Sequence, residues 1–142
     1  MKVAVQKEAF DVGFEIRSIS QDKSIGAVAS FVGQVRDVAM TLEHYPGMTE
    51  KALTAIVEEA KSRWNVIDCT VIHRYGELQP TDPIVLVVVA SAHRGDAFAA
   101  CEFLMDYLKT RAPFWKKEQT AAGERWVEAK SSDDRAAERW KS

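Results

Sequence analysis

A short cationic segment that follows the most apolar stretch of the sequence is suited to binding an anion. It contains His93 and Arg94, with a segment of helical periodicity directly after them. Free backbone N–H groups at the start of a helix favour a negative charge, and the two side chains add further hydrogen-bond donors. A loop histidine beside a solvated arginine accounts for the same residues without a ligand. The position between a strand and a helix favours the first interpretation, a phosphate or carboxylate site.

A second cationic segment, residues 109–117 with the sequence KTRAPFWKK, holds four positive charges and no acid. Clustered ammonium groups lower one another's pKa, so that one lysine can act as a neutral base or nucleophile near neutral pH. A solvated charged face is the simplest alternative. A third interpretation is a surface on which Phe114 or Trp115 stacks nucleic-acid bases, but the formal net charge of −2 argues against it.

Two further candidates carry less information. Arg36 comes directly after an apolar segment, and nothing around it marks a site. Cys101 is the natural candidate for a sulfur nucleophile, but it shares an apolar helix face with Leu104 and Leu108, so we interpret it as a core residue. The sequence lacks a Ser-His-Asp arrangement, paired catalytic carboxylates, a Walker loop and a GxGxxG motif. The residues alone therefore predict a small α+β protein with a positively charged site that binds an anion.

Apolar runs bounded by turn residues predict the strands that position these side chains. The predicted strands are the region around Val3 and Val5, Gly26–Val35 with a possible bulge at Gly33, Thr41–Tyr45, Val66–Tyr75 and Ile84–Ala92. The last of these is the most hydrophobic, so we expect it at the centre of the sheet. Phe114–Glu118 and Arg125–Ala129 predict a hairpin across an Ala122-Gly123 turn.

Helical periodicity predicts two main helices and a short terminal one. The first follows the Pro46-Gly47 turn with Thr49 as its N-cap, and its apolar face comprises Ala52, Leu53, Ile56, Val57, Ala60 and Trp64. The second runs from about Gly95 to Thr110, ahead of Pro113, and buries Ala97, Phe98, Cys101, Leu104, Met105 and Leu108. Ser131-x-x-Asp134 resembles the capping box of a terminal helix.

The order and composition of these elements predict the fold class. Strands and helices do not alternate strictly, so we predict a single α+β domain over residues 1–142. Two main helices pack on a mixed or antiparallel sheet, followed by a C-terminal hairpin and a short terminal helix. The length of 142 residues fits one domain, and 46% hydrophobic and 28% charged residues exclude disordered and collagen-like classes.

Charge and hydropathy indicate where the protein acts. Residues 1–108 hold 10 basic and 15 acidic side chains, whereas residues 109–142 hold 9 and 6, so a basic C-terminal quarter joins an acidic body. The net negative charge argues against general nucleic-acid or membrane binding. No apolar stretch suits a signal peptide or a membrane helix, so we expect a cytoplasmic protein with reduced thiols.

Several motifs resemble one known family. FVGQVRD, LEHYPGMTEKAL, VIHRYGEL, SAHRGDAF, MDYLKTRAPFWKKE and RWVEA occur in the expected order between about Gly26 and Trp140. They resemble the MoaE family, the large catalytic subunits of molybdopterin synthase. The resemblance implies a sulfurtransferase of molybdenum cofactor biosynthesis, which converts cyclic pyranopterin monophosphate into molybdopterin by installing two sulfurs as a dithiolene, with no further cofactor.

The resemblance also implies partners. The sulfur arrives as a thiocarboxylate at the C-terminal Gly-Gly of a small ubiquitin-like subunit of the MoaD type, which explains the lack of a catalytic cysteine. Family members work as a homodimer of large subunits with one small subunit at each end, a heterotetramer. No nucleic acid and no membrane are implied.

The resemblance assigns roles to individual residues. It implies no metal ligand. Lys109 and Lys116 match the catalytic lysines, whose ammonium groups stabilise anionic intermediates or move protons. Substrate contacts fall on Gln34, Val35, Arg36, His93, Arg94, Lys109, Lys116, Lys117 and Glu118. Two features depart from the family pattern: Asp37–Met40 makes a short link where a longer loop is usual, and Gln34 replaces a frequent lysine.

Two other functions remain open from the sequence. One is a non-catalytic scaffold that binds the small subunit, and the other is an anion- or RNA-binding module that uses residues 107–117.

Helix length leads to a hypothesis about assembly. His93 and Lys109 lie at opposite ends of one predicted helix, about 24 Å apart at 1.5 Å per residue. One pterin is too small to touch both ends. We therefore expect each site to take Lys109 and Lys116 from one large subunit, and His93 and Arg94 from the other.

Overall fold

The described residues, 1–120, 123–127 and 131–141 of this computed structural model, form two four-stranded sheets with helices. In chain order the elements are β1 (Lys2–Gln6), α1 (Val12–Ile19), β2 (Ala27–Gln34), β3 (Met40–His44), α2 (Met48–Arg63), β4 (Asp68–Arg74), β5 (Gly76–Leu78), β6 (Pro83–Ser91), α3 (Arg94–Arg111), β7 (Phe114–Thr120), β8 (Gly123–Val127) and α4 (Ser131–Glu138). The predicted α+β class is confirmed, with the strands divided between two sheets.

The first sheet has the strand order β1-β4-β6-β2, with β1 parallel to β4 and the other pairs antiparallel. β6 lies inside this sheet, as its hydrophobicity predicted. Val85, Val87 and Val89 face the core that α2 and α3 cover, whereas Leu86 and Val88 face the core that α1 covers. Because both faces are covered, the strand is apolar on both sides. The predicted bulge is also confirmed, since the β2–β6 register shifts after Gly33.

The second sheet, with the order β5-β3-β7-β8, is antiparallel and contains the predicted C-terminal hairpin. β8 begins at Gly123, whose φ of 106° is a conformation that glycine adopts without strain. Ala122 and Ala129 of the predicted hairpin lie outside the described residues. α4 agrees with the predicted terminal helix, but the Ser131 side chain that was expected to cap it lies outside those described.

The start of α2 corrects the predicted N-cap. The helix begins at Met48 after Gly47, which has a φ of 86°, so Thr49 lies inside the first turn. The helix therefore begins two residues earlier than predicted, because Gly47 tolerates this φ and takes the N-cap position. The Glu50 carboxylate accepts a hydrogen bond from the Gly47 N–H at 3.1 Å. The buried Thr49 hydroxyl donates to the Tyr45 carbonyl at 2.8 Å instead of capping the helix.

Two short elements, α1 and β5, were not predicted. α1 has eight residues, and the Asp11 carboxylate caps it by accepting from the Phe14 N–H at 3.0 Å. β5 has only three residues and pairs with β3. Neither element is long enough for its periodicity to stand out. Among the helices of the described residues, none has the length and apolar character that crossing a bilayer requires.

Candidate active site

The corner between α3 and β7 holds both lysines that were predicted to be catalytic. Lys109 lies in the last turn of α3, which ends at Arg111, and Lys116 is the third residue of β7. Only Ala112 and Pro113 separate the two elements. Proline cannot continue a helix, so the chain leaves α3 here and enters the second sheet. The two lysines thus lie on either side of one turn of the chain.

The alternation of side chains along β7 divides the predicted residues between two faces. Lys116 and Glu118 pair in register with two buried residues of β3, so they lie on the inner face. The Lys116 ammonium lies 3.2 Å from the Glu118 carboxylate. Lys117 lies on the outer face, where its ammonium is 4.6 Å from the centre of the Trp126 ring. The structure therefore brings Glu118 to Lys116 and places Lys117 away from both.

An open cleft of about 560 Å³ lies beside the outer face of β7. Its lining comprises Glu43, His44, Tyr45, Trp115 and Trp126. The Tyr45 and Trp115 rings meet edge to face, with 4.6 Å between their centres. None of the residues predicted to bind substrate lines this cleft, so it is separate from the candidate active site.

His73, near the end of β4, also belongs to this corner, although the sequence did not point to it. Its ring stacks on Phe114, with 3.7 Å between the ring centres and 17° between the planes. Burial lowers the pKa of His73 to about 4, and the charges of Lys109 and His44 act in the same direction, against a hydrogen bond to Arg74. The imidazole is therefore neutral at neutral pH. The VIHRY motif contains this histidine, but its position inside an apolar strand gave no sign of chemistry.

Three residues at the end of β2 and directly after it, Gln34, Val35 and Arg36, were predicted to contact the substrate. Of these, only Arg36 presents an exposed cation. The side chain of Val35 is buried, and its backbone N–H donates to the Asp82 carbonyl at 2.9 Å. The Gln34 amide donates to the Thr81 carbonyl at 3.0 Å. The Arg36 side chain is 81% exposed, and the Asp37 carboxylate is 3.8 Å from it. Arg36 is therefore the residue of this segment that is available to an anion.

His93 and Arg94 lie at the opposite end of α3 from Lys109. His93 is the N-cap residue and Arg94 the first helical residue, and both side chains are exposed. The His93 side chain makes no capping hydrogen bond with the described part of the chain. The 16 residues from His93 to Lys109 correspond to about 24 Å along the helix. Within one chain, the structure does not bring these two groups together.

One side of α3 is more exposed than predicted. Phe98 was expected to be buried, but its side chain is 65% exposed, so that prediction was wrong. Ala97 and Cys101 take the positions that face the core, which places Phe98 at the margin of the buried stripe. Phe31 of the edge strand β2 is 41% exposed and lies on the same side of the sheet, because it pairs in register with Val87.

The two cysteines belong to the core, which confirms the interpretation of Cys101. Burial raises the pKa of Cys101 to about 11 and that of Cys69 to about 12. Both thiols are therefore protonated at neutral pH and are poor nucleophiles. No group of three or more potential metal ligands occurs within residues 1–120, 123–127 and 131–141.

Comparison with known proteins connects this site to a family. The sequence profile described as "MoaE protein" matches residues 5–111. A molybdopterin synthase catalytic subunit from Ralstonia nicotianae is 60% identical, over 97% of this chain and 83% of the relative. The solved structure of the molybdopterin biosynthesis MoaE protein from Burkholderia ambifaria is 56% identical and covers 98% of this chain and 97% of its own, with a TM-score of 0.86.

A more distant structure shares the fold. It is a complex of subunits 1 and 2 of molybdopterin-converting factor from Helicobacter pylori, 20% identical over 89% of this chain and 90% of its own, with a TM-score of 0.75. The profile covers well over half of the chain, and the Ralstonia nicotianae relative matches it almost end to end. The chain therefore belongs to the MoaE family, the enzymes that form the catalytic subunits of molybdopterin synthase in molybdenum cofactor biosynthesis.

Proposed function

We propose that this chain transfers sulfur from the thiocarboxylated C-terminus of a small ubiquitin-like subunit to cyclic pyranopterin monophosphate. The reaction takes place at the corner between α3 and β7 and forms the dithiolene of molybdopterin. The observation that carries this proposal is the placement of Lys109 and Lys116 on either side of a two-residue link. The substrate and the thiocarboxylate are both anions, and two fixed cations suit them.

The two lysines differ in their surroundings, which suggests different tasks. The Lys116 ammonium has the Glu118 carboxylate at 3.2 Å, a group that can exchange a proton with it and hold it in place. Lys109 forms no ion pair with any described residue, so its charge is available to an anionic ligand. We assign charge stabilisation to Lys109 and proton transfer to Lys116. Attack by the thiocarboxylate and opening of the phosphate ester both generate negative charge that such groups stabilise.

The remaining substrate contacts come from a second copy of the chain. His93 and Arg94 are exposed at the far end of α3, about 24 Å from Lys109. A homodimer that places this end beside the corner of its partner completes the site with two further cationic or donor groups. Arg36 and the segment around it add a contact to the same substrate.

The small subunit binds on the exposed aromatic surface formed by Phe31 and Phe98. Both rings lie on the α3 side of the edge strand β2, and α3 leads from Phe98 to Lys109. The C-terminal glycines of the partner suit a narrow approach to Lys109 because they carry no side chain. The two-subunit complex described for the Helicobacter pylori relative supports an assembly of this kind. With two large subunits, the complete particle is a heterotetramer.

The RNA-binding alternative finds little support in the aromatic rings of residues 107–117. Tyr107 is buried, and the Arg111 guanidinium lies 3.7 Å from the centre of its ring. Phe114 is covered by His73. Trp115 alone is left to stack on a base, and it lies on the other face of β7 from Lys116.

The direct test is a turnover assay with cyclic pyranopterin monophosphate and thiocarboxylated small subunit. We expect dithiolene product from the unmodified chain and a loss of about 10²- to 10³-fold in Lys109→Ala, with binding of the small subunit retained. Lys51→Ala, which removes an exposed lysine of α2, is the matched control. A stable complex that forms no product would identify the chain as a scaffold, and loss of complex formation in Lys109→Ala would make Lys109 a docking residue.

A further inference from the structure

The turn between β5 and β6 contains a residue in a conformation that its side chain disfavours. The Asp82 N–H donates to the Gln79 carbonyl at 3.0 Å, which closes a turn with Pro80 and Thr81 at its two central positions. The Asp82 carboxylate also accepts from the Gln79 N–H at 2.9 Å. Thr81 has a φ of 75°, as the third residue of a type II turn does, where glycine is usual. A β-branched residue rarely adopts such a φ, so the surrounding contacts hold it there.

Three hydrogen bonds join this turn, residues 79–82, to the end of β2. The Val35 N–H donates to the Asp82 carbonyl at 2.9 Å, and the Thr81 N–H donates to the Val35 carbonyl at 2.8 Å. The Gln34 amide adds the third bond, to the Thr81 carbonyl at 3.0 Å. Both backbone groups of Val35 are therefore held by the turn, and Thr81 takes part in two of the three bonds.

A second unusual backbone conformation directly follows Arg36. The Val38 N–H donates to the Arg36 carbonyl at 2.9 Å, and Asp37 between them has a φ of 71°. A hydrogen bond between residues i and i+2 around such a φ forms the rare, strained type of γ-turn. The backbone of Arg36 is therefore fixed on both sides, by Val35 before it and by this γ-turn after it, although its side chain is exposed.

The side chain of Val35 connects this segment to the second sheet. It belongs to a buried cluster with Met40 and Leu42 of β3, and Leu42 pairs in register with Lys116 of β7. The Cα atom of Arg36 lies about 3.8 Å from that of Val35, because the two residues are consecutive. The turn at residues 79–82 therefore holds the backbone before Arg36 on the side of the second sheet that carries Lys116.

We propose that Thr81 and Asp82 are positioning residues of this active site: their turn holds Val35 and thereby fixes the point from which the Arg36 side chain reaches the anionic substrate. Gln34 acts through the same turn, because its amide is engaged with the Thr81 carbonyl. A backbone that is already ordered strengthens binding, since no ordering cost remains when the substrate arrives. This inference rests on the proposed function, because it takes Arg36 as a substrate contact.

Two substitutions of Thr81 test the turn. Thr81→Gly keeps the positive φ and both backbone hydrogen bonds, whereas Thr81→Pro fixes φ near about −65° and removes the N–H that bonds to Val35. In Thr81→Pro we expect the KM for cyclic pyranopterin monophosphate to rise about tenfold, the effect of one weakened charged contact, with a smaller change in kcat. Thr81→Gly keeps the KM of the unmodified chain. A KM that both variants raise equally, or that neither raises, overturns the role of the turn.

The Asp82 side chain allows a milder test that leaves every backbone donor in place. Asp82→Ala removes the acceptor of the Gln79 N–H, whereas Asp82→Asn keeps one. We expect the KM to rise about three- to tenfold in Asp82→Ala and to stay at its normal value in Asp82→Asn. An asparagine variant as impaired as the alanine variant shows that the charge of Asp82 matters, and it contradicts a positioning role.

Asp11→Ala is the matched control for Asp82→Ala. The Asp11 carboxylate also accepts from a backbone N–H, that of Phe14 at 3.0 Å, but at the N-terminus of α1. We expect this variant to keep the normal KM. A rise as large as that in Asp82→Ala would trace the effect to a general loss of order, and it would overturn the inference.

A double-mutant cycle decides whether the turn acts through Arg36. Arg36→Ala raises the KM on its own, and we expect that adding Asp82→Ala raises it no further. A further rise equal to that in Asp82→Ala alone shows that the turn acts independently of Arg36 and overturns the inference. A normal KM in Arg36→Ala removes Arg36 from the substrate contacts and the inference with it, whereas turnover that survives Lys109→Ala overturns the proposed function itself.

Hydrogen exchange measures the hold on Val35 without an activity assay. Its N–H is donated to the Asp82 carbonyl, so we expect slow exchange in the unmodified chain and in Asp82→Asn. In Asp82→Ala we expect this amide to exchange about tenfold faster, because the loosened turn opens more often. A Val35 amide that exchanges equally slowly in Asp82→Ala contradicts the inference.

Discussion

The Lys116 ammonium lies 3.2 Å from the Glu118 carboxylate, two residues farther along the same face of β7. Strand geometry places residues i and i+2 on one side, so this ion pair is a direct consequence of the KKE order in the sequence. It also explains why Lys117, which lies between the two, points to the outer face. Lys116 thus has a carboxylate beside it with which it can exchange a proton, and this difference from Lys109 can be tested.

Glu118→Gln removes the charge of this partner and keeps its shape. We expect turnover to fall about tenfold, because Lys116 loses the group that orients it and exchanges its proton. The free energy of unfolding changes by less than about 1 kcal/mol, since both side chains are partly exposed. Single-turnover product formation and urea denaturation measure the two effects. Glu77→Gln on β5 is the control for an exposed strand glutamate, and turnover that is equal in both variants contradicts the role of Glu118.

The exposed rings on the α3 side predict where the small subunit binds. Phe98→Ala and Phe31→Ala each weaken binding of the small subunit about tenfold, the effect of losing a central aromatic contact in an interface. Their stability changes little because these rings are already exposed. Phe14→Ala, which removes an equally exposed ring on α1, leaves the affinity unchanged. Calorimetric titration measures all three, and a greater loss in Phe14→Ala than in Phe98→Ala places the interface elsewhere.

The buried thiols predict the chemical behaviour of the cysteines. At neutral pH neither Cys69 nor Cys101 reacts with a thiol reagent in the folded protein, because burial keeps both protonated and covered. Both react after unfolding in urea, which is the control. Cys101→Ala keeps turnover within about twofold and costs roughly 1–2 kcal/mol of stability. Loss of product in Cys101→Ala, with the fold intact, shows that this chain supplies a sulfur nucleophile of its own.

The neutral His73 predicts a pH dependence of stability. The pKa of the folded state is about 4, whereas the ordinary value is 6.5, so between these values the unfolded chain binds a proton that the folded chain does not. The free energy of unfolding therefore decreases as the pH falls from 6.5 to 4, by up to about 3 kcal/mol from this residue. Urea denaturation of His73→Phe shows a shallower acid dependence over this range. Identical slopes in both proteins contradict a neutral His73 in the folded state.

Long periodic segments allowed most of the fold to be predicted, and short ones did not. β6, α2 and α3 carry enough apolar residues at regular spacing to be recognised, and the glycine and proline turns mark their ends. α1 and β5 are too short for a period to emerge. Phe98 was misplaced because the alanines beside it fill the position against the sheet, so the buried stripe is narrower than the apolar pattern.

The candidate site likewise contains residues that the sequence predicted and residues that it could not predict. Lys109 and Lys116 were recognisable from a motif. The alternation of side chains along a strand is enough to place Lys116 and Lys117 on opposite faces of β7. His73 was not recognisable, because its role depends on a stack with Phe114 across two sheets that no local pattern encodes. The exposure of Arg36 likewise depends on how the chain after β2 turns, where Asp37 adopts a φ of 71°.

The most direct test of this account mixes two inactive variants, Lys109→Ala and Arg94→Ala, and measures dithiolene formation. If each site combines Lys109 of one copy with Arg94 of the other, a mixed dimer contains one intact site and one doubly altered site. Random exchange at equal amounts then restores about a quarter of the activity of the unmodified protein. Each variant alone remains inactive. No recovery after subunit exchange, with mixed dimers demonstrated by mass spectrometry, contradicts a site shared between two copies.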